Sequence, residues 1–263
     1  MDLNLSGKTA FVCGSTQGIG RAAAQELAEL GASVILLSRS EDKLKQVAGE
    51  LPNNGAQNHS YIAADFSRPA NLREALEAWA QDNSEPVHIL INNTGGPPGG
   101  PAHTADIEAF RAAFNQHLIC NQILVQFLLD RMKAAGYGRI INVISTSVKQ
   151  PLDNLGVSNT IRGAVANWAK TLSNELGPFG ITVNNVLPGA TDTVRLSSII
   201  ENKAKKQGKT TDEVTAAMQG AVPARRFARP EETAYAIAFL ASPSAAYING
   251  INLPVDGGRT KSL

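Results

Sequence analysis

The sequence predicts one α/β domain, a doubly wound parallel sheet with helices on both faces, and three observations predict it. Short runs rich in Val, Ile and Leu alternate with amphipathic helical patterns from end to end. Strands of that composition, separated by helices, belong to a parallel sheet buried on both sides. A glycine-rich turn also joins the first run directly to the first helical pattern, where such folds grip a dinucleotide.

The elements follow in order. TAFVC (9–13) is the first strand and feeds a helix over 20–30; SVILL (33–37) precedes a helix over 42–51; HSYIA (59–63) precedes one over 69–81. VHILI (87–91) leads, after a glycine- and proline-dense loop, into a long helix over 107–135. RIINVI (139–144) is followed by a helix over 157–176, ITVNNV (181–186) by one over 231–240, and INLPV (251–255) closes the sheet. No linker, repeat of fixed period or low-complexity tract interrupts this order, so residues 1–263 read as one domain. The exception to the alternation is a polar insertion at about 194–222.

Composition excludes several classes. A net charge of +1 argues against nucleic acid as a main partner, because phosphate binding leaves a strong basic excess. No run approaches the roughly 20 apolar residues of a membrane span. The start, MDLNLSGKTAFVCG, has neither the charged region nor the apolar core of a signal peptide. Cys13 and Cys120 lie in apolar surroundings without metal-ligand spacing, and are expected to be buried, reduced thiols of a cytoplasmic protein. No metal site is expected.

The turn reads Gly14-Ser-Thr16-Gln17-Gly18-Ile19-Gly20, opening into a helix. Glycines let the backbone turn sharply and approach a pyrophosphate, which then rests on free N–H groups at a helix N-terminus. The spacing G-x-x-x-G-x-G resembles that of the short-chain dehydrogenase/reductase family, and further motifs agree in order. Asp65 closes the third strand in AADFS; Asn92-Asn93-Thr94-Gly95 is similar to the family's Asn-Asn-Ala-Gly; Pro188-Gly189 follows the sixth strand with Thr191 and Thr193 beside it; Asp256-Gly257-Gly258 resembles the usual ending. The resemblance covers roughly residues 5–258. It implies a Rossmann-type fold, an adenine contact at Asp65, and cofactor contacts at Asn92, Thr94, Gly95, Pro188, Gly189, Thr191 and Thr193.

At the end of the second strand stand Ser38 and Arg39. A ribose 2′-hydroxyl calls for an acidic partner there and a 2′-phosphate for a cation. A guanidinium forks onto phosphate oxygens, so NADP(H) is favoured over NAD(H). Gln17 weighs the other way, since NADP-preferring relatives often carry a basic residue at that place. A solvated arginine in an exposed turn is the plainer alternative.

The resemblance implies a catalytic set of Asn, Ser, Tyr and Lys, and here the chain departs from the pattern. Ser145, expected at the end of the fifth strand, carries over as the serine. The tyrosine and lysine places hold Ser158 and Arg162, and the asparagine place counts to His117, with Asn115 and Asn121 close by. A tyrosine starts near pKa 10 and a neighbouring lysine lowers it, which suits proton exchange beside a moving hydride. A serine hydroxyl is far too weak an acid for that part, and arginine keeps its proton at any working pH. Arg162 retains the ability to donate to the nicotinamide ribose. His117 and Lys149, the latter in the loop SVKQP, are the candidate replacements for the proton donor. Two readings stand: an NADP(H)-dependent oxidoreductase for carbonyls or alcohols, 3-oxoacyl reductase-like, and a non-catalytic dinucleotide-binding protein with a degenerate site.

From Arg195 to Arg229 eight basic residues face three acidic ones, a net +5. Relatives use this region as a substrate lid, and a basic lid suits an anionic substrate such as a carboxylate or an acyl thioester. A solvated helical face explains the charge equally simply. The small-molecule substrate is otherwise open. A homo-oligomer, tetramer or dimer, is expected, because Phe110, Phe114, Leu118 and Leu124 on one long helix and Val165, Trp168 and Leu172 on the next leave apolar surface to spare.

Overall fold

A computed structural model describes residues 1–262. Strands β1 (Thr9–Cys13), β2 (Ser33–Ser38), β3 (Ser60–Ala63), β4 (Ile89–Asn92), β5 (Gly138–Val143), β6 (Ile181–Pro188) and β7 (Asn252–Val255) form one sheet in the order β3-β2-β1-β4-β5-β6-β7. Every neighbouring pair is parallel. The chain runs outward one way from β1 and the other way from β4. That reversal leaves a crevice at the carboxyl ends of β1 and β4, where doubly wound sheets bind ligands.

Successive strand residues point to opposite faces, and both faces are dry. Val12, Leu36, Ile91, Val143 and Val186 join one core with Leu27, Leu44 and Ile237 of α1 (Gly18–Glu29), α2 (Glu41–Glu50) and α9 (Pro230–Ala241). Phe11, Cys13, Leu37, Leu90 and Val183 join the other with Leu72, Leu124 and Ala169 of α3 (Pro69–Asp82), α5 (Cys120–Ala135) and α6 (Gly156–Leu176). This is why the strands are continuously apolar instead of alternating. Full burial of a residue such as Phe11 or Leu124 stabilises the fold by roughly 1.5–3 kcal/mol. No helix among the described residues is long and apolar enough to cross a membrane, and none of their His, Cys, Asp and Glu side chains group as a metal site.

The structure corrects several expectations. The long helix over 107–135 is three pieces: α4 (Ile107–Phe114), a π-helical segment (Asn115–Ile119) and α5. The third and fourth strands start later than expected, at Ser60 and Ile89, and just before them His59 Nδ1 accepts the Val34 N–H at 3.2 Å and His88 Nδ1 that of Thr9 at 3.1 Å. Asp65 lies two residues past the end of β3 and Ser145 two past β5, both in the turns instead of in the strands. The polar insertion folds as α7 (Val194–Gln207) and α8 (Thr211–Gly220), which close a small core of Leu196, Ile200, Ala204 and Val214. Leu124 and Val165 are fully buried and leave no surplus surface, whereas Phe114 stays exposed.

Candidate active site

The glycine turn is shaped by the loop it faces. Gly14 and Gly18 have φ of +59° and +56°, a region strained for any side chain. A Cβ on Gly14 would stand 2.6 Å from the Asn93 carbonyl oxygen, and one on Gly18 would stand 3.1 Å from the Thr193 methyl. A Cβ on Gly20 would run into the Gly14 carbonyl, so this glycine serves helix–strand packing. Gln17, extended, leads into α1 without a capping side chain, and no acidic residue occupies the first turn. The leading N–H groups and the positive end of the helix dipole are left for an anion, as a diphosphate requires.

Beside the turn lie the residues that follow β2 and β3. Thr16 Oγ1 lies 3.4 Å from Ser38 Oγ, and Arg39 is exposed beside it. The Ser67 amide, donating to Asp65 at 2.9 Å, holds the Asp65 carboxyl below its usual range, and the charges of Arg39 and Arg68 act in the same direction.

Asn92 behaves otherwise than the motif suggests. Its Nδ2 donates to Asn142 Oδ1 at 2.8 Å, Asn142 to Asn185 at 2.9 Å, and Asn185 to Asn252 at 2.8 Å. The four sit on one register line across β4, β5, β6 and β7, so the side chain of Asn92 anchors an amide ladder inside the sheet. Asn93, which the motif reading left without a role, is the residue that reaches the glycine turn. Its Nδ2 donates to the Cys13 and Gly14 carbonyls at 3.2 and 3.4 Å. Further along the crevice, Gly189 must lack a side chain because a Cβ there would lie 2.7 Å from Asp256 Cα. Thr191 is buried, and Thr193 caps α7 by accepting the Leu196 N–H at 3.3 Å.

Of the positions expected to carry chemistry, His117 is joined to the strand end next to this turn through Thr94, and Arg162 acts on it. Thr94 Oγ1 lies 2.6 Å from His117 Nδ1, and His117 sits in the π-helical segment. Such one-turn distortions arise where a helix is bent to place a residue at a site. Burial, with the charges of Arg162 and Arg195 adding, pushes His117 down to about 2, so the imidazole is neutral. Its Nε2 is buried without a protein partner. Arg162 Nη1 donates to the Val143 carbonyl at 3.0 Å, pinning α6 to the end of β5. Burial and then Arg195 lower this guanidinium to about 10, which still leaves it charged at neutral pH. Ser158, one turn earlier on the same face of α6, is buried as well. Ser145 Oγ accepts the Ser147 N–H at 3.1 Å, which leaves its own proton to give. Lys149 is exposed just past the short turn Thr146–Val148, at the rim.

Sequence reasoning also missed the part played by a residue at the start of α7. Arg195 in the first turn of α7 donates from Nη1 to the Gly96 carbonyl at 2.9 Å and from Nη2 to that of Pro97 at 3.2 Å. The readable signal was a cation two residues after a Thr N-cap, the end of a helix where its charge is disfavoured. Arg226, counted among the lid's free charges, is instead held by both carboxylate oxygens of Glu232 at 2.6 Å.

Comparison with known proteins agrees with this architecture. A family model described as enoyl-(acyl carrier protein) reductase matches residues 14–260. The NADPH-dependent reductase BacG of Bacillus subtilis is 32% identical over 262 residues, covering 98% of this chain and 100% of that protein. The 3-oxoacyl-[acyl-carrier-protein] reductase FabG of Vibrio cholerae is 34% identical over 258 residues, covering 97% and 98%. Among solved structures, L-sorbose reductase from Gluconobacter frateurii, complexed with NADPH and L-sorbose, superposes with a TM-score of 0.92 at 30% identity over all of both chains.

Proposed function

Because this chain belongs to the short-chain dehydrogenase/reductase family, we propose that it is an NADP(H)-dependent oxidoreductase that reduces the carbonyl of a small anionic molecule, or oxidises the corresponding alcohol. NADP(H), when bound, supplies or takes the hydride. One observation carries the reading: a line of contacts runs from the glycine turn to His117, which the charge of Arg162 reaches in turn. Asn93 touches Gly14, its neighbour Thr94 meets His117, and His117 lies within the field of Arg162, which is pinned to β5.

The residues divide the work by their chemistry. The uncapped start of α1 holds a diphosphate, and Thr193 closes over Gly18. Arg39 and Ser38 take a 2′-phosphate, which favours NADP(H) over NAD(H). Arg162 donates to the nicotinamide ribose from the N–H groups that Val143 leaves over. Its fixed positive charge also stabilises the oxyanion that develops on a reduced carbonyl, and preorganised charge of this kind is worth several kcal/mol in a dry site. Ser145 donates its proton in a hydrogen bond to that oxygen. Ser158 leaves room where relatives carry a phenol ring, for water or a bulkier substrate. The proton enters from solvent past Ser158 and the rim residue Lys149, because His117, held neutral, is far too weak an acid to give up its remaining N–H and serves to orient Thr94. Helices α7 and α8 form the lid.

The free, buried thiols Cys13 and Cys120 suit a reducing cytoplasm. A homotetramer or dimer, built on the face around Phe114, completes the reading. The test is a turnover screen with NADPH against ketones, aldehydes, oxo acids and acyl thioesters. Oxidation of NADPH by at least one class supports the reading, and tight NADPH binding without turnover of any of them overturns it.

A further inference from the structure

Two arginines beside the crevice, one buried and one exposed, are held by backbone carbonyls. Arg162 is 8% exposed and its one hydrogen bond in the chain is to a backbone carbonyl. Arg195 is held only by the carbonyls of Gly96 and Pro97. Among the described residues no carboxylate pairs with either, unlike Arg21, Arg111, Arg226 and Arg229. Arg131, Arg139 and Arg225 are also carbonyl-bound, but Arg162 and Arg195 differ from them in both acting on His117 beside the glycine turn. The loop is cut to receive the second guanidinium: a Cβ on Gly96 would lie 2.6 Å from Arg195 Nη2. Arg195 also stands in the first turn of α7, where the helix dipole adds to its positive field. A guanidinium held by neutral carbonyls gains a partner of opposite charge when it exchanges them for a carboxylate, which it can meet with two parallel N–H···O bonds.

The geometry points to Arg195, with Arg162 behind it, as the seat of a carboxylate on the substrate, so that the enzyme acts on a small free oxo acid or hydroxy acid and not on a thioester held by a carrier. The inference rests on the functional reading above and deepens it. A free acid delivers its charge into the crevice beside Arg162. A carrier-bound thioester has no charge at that place, and its carrier would engage the exposed lysines 203, 205, 206 and 209 on the outer side of the lid. Arg195 thereby takes the role of a latch, joined to the loop over 95–101 in the free chain and to substrate in the complex.

The test uses calorimetric titration of NADPH-saturated protein with butyrate, hexanoate and benzoate, each against its primary amide. An acid preference of about 10- to 100-fold is expected for at least one pair, the worth of a charge-assisted bond. Arg195→Met should abolish the preference and Arg195→Lys should keep part of it. A merely structural role for Arg195 would weaken acid and amide alike, leaving the ratio unchanged, and that result overturns the inference. So does a loss of NADPH affinity in Arg195→Met with the acid preference intact, because Arg195 would then read a phosphate of the cofactor. Equal binding of acids and amides to wild type, or turnover of an acyl thioester but of no free oxo acid, also overturns it. Failure of wild type to bind NADPH is a separate result that strikes the functional reading itself.

Discussion

Arg162 Nη1 donates to the carbonyl of Val143 at 3.0 Å, and this bond fixes α6, with the expected catalytic positions 158 and 162, to the end of β5. Arg162→Met removes both the bond and the buried charge. Leaving the Val143 carbonyl unsatisfied should cost about 1–3 kcal/mol of stability, read by urea unfolding. The same variant should bind NADPH about tenfold or more weakly, the scale of one lost charged hydrogen bond. Unchanged NADPH affinity in a folded Arg162→Met protein would mean that the residue stands away from the cofactor.

Arg39 sets the choice of cofactor. Arg39→Ala should remove roughly 1.5–3 kcal/mol from NADPH binding, the worth of a hydrogen bond to a charged group, and little from NADH binding. Titration of nicotinamide fluorescence with both nucleotides measures the difference. Equal wild-type affinities for the two would contradict the assignment of Arg39 and Ser38 to a 2′-phosphate.

Two buried imidazoles should make the fold sensitive to acid. Burial lowers His88 to about 4, with Lys8 adding, and lowers His117 to about 2. Both folded values lie below that of the unfolded chain, so protons go to the unfolded state first. The stability contributed by each neutral ring is complete above about pH 6.5 and falls as pH drops, by up to about 1.4 kcal/mol per pH unit. Between about pH 7 and pH 5 the loss should approach 2 kcal/mol for each histidine, measured by urea unfolding at the two values. His117→Asn should remove its share. A flat profile would show that neither ring is held neutral.

The missing acid can be restored. Ser158→Tyr together with Arg162→Lys should raise NADPH-dependent reduction of reactive carbonyls by about 10²–10⁴-fold, the typical worth of general acid–base assistance. If the double variant binds NADPH and gains nothing, the space at Ser158 serves another purpose.

Sheet, helices and turn were legible in the sequence because each rests on local chemistry. Val12 and Leu36 are apolar on a strand buried on both sides, and Gly14 and Gly18 stand where φ must be positive. The π-helical segment was not legible, since inserting one residue into a turn changes no apolar spacing that the eye can separate from a continuous helix. Asn92 and Asn93 are identical letters, and only the register of four strands shows that the first is spent inside the sheet. Arg195 and Arg226 counted alike as lid charge, yet one is neutralised by Glu232 and the other stays available. Leu124 and Val165, read as spare surface, are core because helices packed between sheet and neighbour bury more than one face.

The central claim, hydride chemistry at a site that lacks tyrosine and lysine, is tested most directly by isotope transfer. NADPH deuterated at the transferring position is incubated with wild-type protein and the substrate that the screen identifies, and the product is weighed by mass spectrometry. The account predicts a single deuterium carried into the product at the former carbonyl carbon, with NADP⁺ formed in equal amount. Product without the label, or NADPH left intact while product accumulates, would contradict it.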